Sequence, residues 1–327
     1  MFGVPRREWV GGALAGYLAD LLLGDPRRGH PVAVFGRAAA TLERLTYRDS
    51  RVAGAAHAGV LVGALGLLGA ALQRECARRG RWWSVAATAA ATWTALGGTS
   101  LARTGRRMAE LLDGGDVEAA RRLLPSLCGR DPAVLDSTGL TRAALESVAE
   151  NTSDAQVAPL LWAAAGGVPA ALVYRGINTL DSMIGHRSLR YTRFGWAAAR
   201  LDDLASYVPA RVAGALVVMC APLVGGSPAG AMRAWHRDAA RHPSPNAGIL
   251  EATFAGALGV RLGGPTQYHH QLQIRPVLGD GRHPRVTDLR RAVLLSRVVQ
   301  AAAAALAAGW TRRRGAPRSG VVQRRRP

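Results

Sequence analysis

At 327 residues with 49% hydrophobic composition, the chain can bury a large core without disulfide or metal staples. All 42 basic residues are arginine, giving a formal charge of +20, and they are scattered through the loops without an aromatic-interleaved groove. That excludes nucleic acid as the expected partner and points to membrane lipid and phosphate, although a base-composition bias alone accounts for arginine over lysine. Cys76, Cys128 and Cys220 form no C-x-x-C pair, so neither a disulfide framework nor a thiolate metal centre is expected.

Apolar runs recur at 9–23, 52–72, 82–102, 157–174, 207–226 and 292–310, several reaching the roughly 20 residues that cross a bilayer as a helix. They predict an all-α fold, a polytopic integral membrane bundle, with a single membrane domain over 1–310 and a disordered basic tail over 311–327. The first run follows Arg6 and Arg7 as a signal peptide would, but Asp20 interrupts it and no A-x-A site follows, so it is expected to be retained. Gly24-Asp25-Pro26 ends it, and Asp25, Arg27, Arg28 and His30 then cluster in a turn that suits a phosphate or metal contact. Runs 52–72 and 82–102 read as a transmembrane hairpin.

A soluble, cytosolic helical insertion is expected over about 103–150, with Asp116 capping one helix and Thr138 or Thr141 capping another that ends at Glu150. Arg142, Glu146 and Glu150 share a face of that helix, and Arg142 with Glu146 reads as a solvated ion pair. Gly166-Gly167-Val168-Pro169 then divides run 157–174 into halves of about 12 Å, too short to span. A broken or re-entrant hairpin there would return Asp181 to the side of Glu150, and that reading also sharpens the arginine asymmetry between the two faces. After 207–226, a polar loop region over about 227–291 carries HPSPNAG, with His242 and Asn246 as its useful groups. If 207–226 crosses simply, this loop lies on the opposite side from Glu150 and Asp181.

The stretch from Glu146 to Arg211 concentrates carboxylates, amides and arginines between apolar segments, where unpaired polar groups are costly. Glu150, Asp154, Asp181, Asp202 and Asp203 are oxygen ligands that suit Mg²⁺, and Arg187 or Arg200 would hold phosphate. Buried ion pairs between helices are the structural alternative. Histidines 30, 186 and 242 lack zinc-motif spacing, so zinc is not expected, and no P-loop is present.

GDPRRGHP, GRDP, ESVAENTSDAQVAPL, NTLDSMIGHR, YTRFGWAAARLDDLASYVPAR, HPSPNAG and RLGGP with GDG occur in collinear order from about Asp20 to Gly281. Together they resemble the adenosylcobinamide-phosphate synthase family of cobalamin biosynthesis (CobD/CbiB). The resemblance implies a multi-pass cell-membrane enzyme, an ATP-dependent amide-forming ligase joining adenosylcobyric acid to aminopropanol or its O-phosphate. It carries function onto Glu150, Asn151, Asp154, Asn178, Asp181, Asp202, Asp203 and His242 as catalytic residues, and onto Asp25, His30, Arg200 and Asn246 as substrate or phosphate contacts, with Arg187 added as a phosphate contact from its chemistry. In this reading Glu150, Asp154 and Asp181 ligate Mg²⁺, with ATP as co-substrate. The expected partners are the corrinoid, the amino alcohol, membrane lipid and other membrane enzymes of the pathway.

Two other classes compete. A non-catalytic membrane sensor or transporter would show paired discontinuous helices in repeated halves, and the sequence has one broken segment and no internal repeat. An isoprenyl diphosphate transferase would need D-D-x-x-D, which is missing after Asp202.

Overall fold

Capping residues, glycines and prolines, rather than the limits of the apolar runs, set where each helix begins and ends: runs 82–102 and 207–226 give helices shorter than themselves, and run 52–72 lies inside a longer one. The computed structural model describes residues 7–25, 29–186, 188–268 and 271–312; Arg27, Arg28, Arg187 and the basic tail from 313 onward lie outside them. Helix α1 (Arg7–Leu23) ends at Gly24, whose φ of 65° suits glycine. Helix α2 (Pro31–Thr46) begins with Pro31, and His30 caps it by accepting from the Val32 N–H at 3.2 Å. Helices α3 (Arg51–Arg79) and α4 (Arg81–Ala95) form the expected hairpin.

Run 82–102 is not one span. It breaks at Leu96–Gly97, and α5 (Gly98–Asp113) starts where buried Asp20 of α1 accepts the Thr99 N–H at 3.2 Å, so an acid from another helix satisfies the new N-terminus. Asp116 caps α6 (Val117–Leu123) as expected, accepting from Ala119 N at 2.9 Å. Asp136, rather than Thr138 or Thr141, caps α7 (Ser137–Thr152), because the cap must sit outside the first helical residue; its carboxylate accepts from Gly139 N at 2.7 Å.

Helix α8 (Ala158–Leu180) follows a π-helical turn at Ser153–Val157, and a second π turn spans Asp181–Gly185. At Gly167, φ 65° and ψ −144° interrupt α8. The chain folds back there: the Tyr174 hydroxyl donates to the Asp154 carbonyl at 3.2 Å, whereas a straight helix would separate these residues by about 30 Å. The re-entrant hairpin is therefore present. Its tip is covered by protein, since the Val168 N–H freed at the turn donates to Gln73 Oε1 at 3.0 Å.

After α9 (Tyr191–Phe194), α10 (Trp196–Ala205) and α11 (Tyr207–Cys220), a left-handed Gly225 turns the chain into α12 (Pro228–Asp238) and then α13 (Ala247–Leu258). Both pack on α11: Gly214 of α11 lies against Trp235 of α12 and Ile249 of α13 so closely that a Cβ would meet both side chains. Strands β1 (Leu262–Tyr268) and β2 (Gln271–Leu278) pair antiparallel, Leu262 opposite Leu278 and Gly264 opposite Arg275. Thus the region 227–291, expected as a polar loop region, holds two short helices and a hairpin. Helix α14 (Val286–Arg312) closes the bundle.

The fold is the expected all-α bundle. Four stretches, Arg51–Arg79, Ser137–Gly185, Tyr207–Val224 and Val286–Gly309, are long and apolar enough to cross a membrane, the second folded on itself at Gly167. Helices of the 103–150 region share one core with α11 to α14, through residues such as Met108, Leu145, Leu250 and Leu295.

Candidate functional site

The fold-back at Gly167 decides where the chemistry collects. Glu150 ends α7, Asp154 and Asp181 lie on the two π turns, and Asp202 comes from α10; Asp154 stands within electrostatic reach of Asp202, Glu150 and Asp181. π turns inside helices recur at functional sites because the extra residue re-aims a side chain. All four acids keep accessible surface, and among the described residues none has an arginine or histidine at ion-pair distance. Asn178 joins them, donating to Asp202 Oδ1 at 3.4 Å and accepting from Arg175 Nη1 at 3.3 Å.

Burial pushes the Asp202 carboxyl up to about 6 against a hydrogen bond from Asn178, and the charges of Glu150 and Asp203 push the same way. Asp203 pairs with Arg200 at 3.3 Å on the accessible side of α10. Asn246 donates to the Asp203 carbonyl at 2.9 Å, and Arg211 donates to Asn246 Oδ1 at 3.4 Å. This resolves the position of HPSPNAG: α12 runs back along α11, so the loop returns to the start of α11 instead of lying at the far side.

Asp25 and His30 approach from the first loop. Asp25 and Arg175 interact through their charges, and Asp25 Oδ1 is buried without a hydrogen-bond partner. His30 is held below its ordinary pKa by burial, with Asp25 opposing and Arg175 reinforcing. Asn151 instead bonds back to its own helix, donating to the Ser147 carbonyl at 2.9 Å. Beside Tyr174 opens a largely apolar cleft of about 1030 Å³, walled by Trp162, Val173, Leu204, Val208 and Leu306.

His242 belongs to a second, sealed group. Glu146, 2% exposed, pairs with Arg130 and lies 3.7 Å from Arg275, and its other oxygen accepts the Gly263 N–H at 2.7 Å. Arg275 also reaches His242 Nε2 and Glu251 Oε1, the latter at 3.2 Å. The expected solvated pair of Arg142 with Glu146 does not form: Arg142 donates to the Gly263 and Pro265 carbonyls at 2.5 and 2.7 Å, holding the hairpin on α7. Its acid is taken because Arg130 and Arg275 reach it inside the protein. Burial and Arg275 lower His242 to about 4, so the ring is neutral at pH 7.

Arg130, Arg175, Glu251 and Arg275 are functional candidates that were not singled out from the sequence, and Glu146 was read there only as half of a solvated pair. Glu251 had a readable signal, since it is the lone charge in the otherwise apolar helix AGILEATFAGAL, where an acid must find a partner.

The family model described as CobD/Cbib protein matches residues 13–296. The chain belongs to the CobD/CbiB family, a family of cobalamin biosynthesis proteins. It is 75% identical over 307 residues to the cobalamin biosynthesis protein CobD of Mycobacterium tuberculosis (strain CDC 1551 / Oshkosh), covering 94% of this chain and 97% of that protein. The proteins of the same name from Geobacter metallireducens and Rhodobacter capsulatus are 44% and 41% identical, over 83% and 85% of this chain and 86% and 90% of their own lengths. No solved structure matches.

Proposed function

We propose that this chain is a cell-membrane amide-forming ligase of cobalamin biosynthesis, joining adenosylcobyric acid to aminopropanol or its O-phosphate with ATP consumed. One observation carries the reading. Acids from α7, both π turns and α10 converge with Asn178 and Arg175 in an accessible site, and among the described residues no ion pair neutralises them. A carboxylate is a poor acyl donor, so ATP would first convert it to an acyl phosphate, and the amine would then displace phosphate.

Among the described residues, no three His, Cys, Asp or Glu side chains are grouped closely enough to hold a metal ion alone, so Glu150, Asp154 and Asp181 do not make a closed cage. The donor set still suits Mg²⁺, which takes one or two carboxylates and completes its shell with water and substrate phosphates. One or two of Glu150, Asp154 and Asp181 would hold it, and bound Mg²⁺ would neutralise charge on the phosphates. The protein's own groups then orient the reactants. Arg175 and Arg200 offer guanidinium donors to phosphate, Asn178 and Asn246 fix Asp202 and Asp203, and the apolar cleft beside Tyr174 gives the corrinoid a surface.

The test is synthesis by the purified protein in membranes supplied with adenosylcobyric acid, Mg·ATP and each amino alcohol in turn. Cobinamide or its phosphate, with ATP hydrolysed in step, is the expected product; ATP-independent product or none would refute the reading.

A further inference from the structure

The end of the bundle away from the acids carries a group of side chains that the proposed reaction does not use. Helix α3 runs antiparallel to the second half of α8: the Gly176 backbone lies against Leu65, Pro169 against Gly69, and Gln73 holds Val168 at the tip of the hairpin. Continuing that register, Asp181 is level with the stretch around Val60. From there to the turn between α3 and α4 is about 19 residues of helix, or about 30 Å, the thickness of a bilayer's hydrocarbon core. The outer face of α3 between these levels is apolar and uncovered, with Val60, Leu67, Leu68 and Leu72 exposed. Lipid tails fit that face, which sets the turn at a headgroup layer.

The side chains at the turn suit that layer. Gly80, with φ 119°, separates the two helices and leaves Arg74, Arg78, Arg79, Arg81, Trp82 and Trp83 exposed. Trp82 is 72% and Trp83 55% exposed, and each ring has a guanidinium over it, Arg81 at 5.0 Å and Arg79 at 5.9 Å. Such a pair fits the boundary between tails and headgroups, where the ring meets apolar chain and the cation meets phosphate. Glu75 pairs with Arg79 at 3.0 Å and with Arg78 at 3.6 Å, one acid among four arginines. Among the described residues neither Arg74 nor Arg81 has an ion-pair partner. The turn is left with a surplus of three positive charges.

We propose that the α3–α4 turn is a docking surface for anionic phospholipid headgroups, with Arg74, Arg78 and Arg81 at the phosphate and Trp82 and Trp83 against the upper part of the acyl chains. Charge decides between lipid classes. A zwitterionic headgroup brings a cation of its own, which this surface repels, whereas an anionic one brings net negative charge to a positive patch. A soluble acidic partner would leave both tryptophans in water, and an apolar one would leave the arginines unmatched. Only a molecule with a phosphate above an apolar chain answers both halves of the surface.

The experiment uses the full chain in detergent, supplied with equal amounts of phosphatidylglycerol and phosphatidylcholine of the same acyl chains, and counts each retained lipid by native mass spectrometry. Wild type is expected to favour phosphatidylglycerol, and Arg74→Gln/Arg78→Gln/Arg81→Gln to lower that preference about 10-fold. Glutamine at Arg106, Arg107 and Arg122, exposed arginines of α5 and α6, should leave it in place. No preference in wild type, an unchanged preference in the triple variant, or equal loss in the α5 and α6 control overturns the proposal. Displacement of the lipid by millimolar inorganic phosphate, the mark of a free-phosphate site, overturns it too. So does a two-chain mass lost in step with the triple substitution, which would give the surface to a second copy. If the triple variant does not fold, Arg81→Gln alone is read, expected to lower the preference about 3-fold, with the same outcomes overturning it.

Discussion

Glu146 and Glu150 lie one turn apart on the same face of α7 and belong to opposite kinds of chemistry. Glu146 is sealed, 2% exposed, with Arg130, Arg275 and the Gly263 N–H around it. Glu150 keeps accessible surface, has no ion-pair partner among the described residues, and shares its surroundings with Asp154, Asp181 and Asp202. Charge and helical position are nearly the same, so neither decides the role. Direct contact with guanidinium does: where Arg130 and Arg275 come to ion-pair distance the acid fastens the fold, and where they act only through space, as on Glu150, the acid is left for a cationic or phosphate-bearing ligand.

The sharpest way to break this comparison is to neutralise one acid from each group. Asp154→Asn and Asp181→Asn should each cut product formation about 10³-fold while leaving thermal unfolding in detergent at or above the wild-type temperature. Glu146→Ala should do the reverse to stability. It strands Arg130 in the interior, and removing one partner of a buried pair costs about 3–5 kcal/mol, read as a lower denaturation midpoint. If Asp154→Asn unfolded the protein and Glu146→Ala did not, the two groups would have been assigned the wrong way round.

Much of the open group was legible because it is local. ESVAENTSD and NTLDS put their acids within one or two turns, and Gly166-Gly167-Val168-Pro169 announced the reversal that brings the stretches together. The sealed group was not legible, because its members come from the GRDP loop, α7, the 242–248 loop, α13 and β2, and only the fold shows that Arg275 and Glu251 meet. The break at Gly97 escaped for the same reason: Asp20, from a different helix, satisfies the backbone that an isolated apolar run would have kept helical. Region 227–291 misled by its prolines and glycines, which serve there as helix caps and strand irregularities.

Gly167 tests whether the fold-back is required by both groups. With φ 65° and ψ −144°, it occupies backbone space that is nearly confined to glycine, and a Cβ would sit 2.2 Å from Gln73 Oε1, the acceptor that satisfies Val168. Gly167→Ala should therefore cost about 1–3 kcal/mol and lower activity with it, since Asp154 and Asp181 depend on the turn to meet. A variant of full stability and full activity would show that the reversal does not position them.

The smallest effect concerns Asp202, which distinguishes an unpaired acid from a paired one by pH alone. Its carboxyl, raised to about 6, is favoured in the fold when protonated. That stabilisation is complete below the unfolded value of about 4 and is lost as pH rises through about 6. Asp202→Asn, which stays neutral throughout, should then melt higher than wild type at pH 8 and level with it near pH 4. Asp202 retains accessible surface, and solvent screening holds the difference to about 1 kcal/mol, or about 2–4 °C. Parallel melting at both pH values would mean that a counter-ion already neutralises Asp202, which would place it with Glu146 rather than with Glu150.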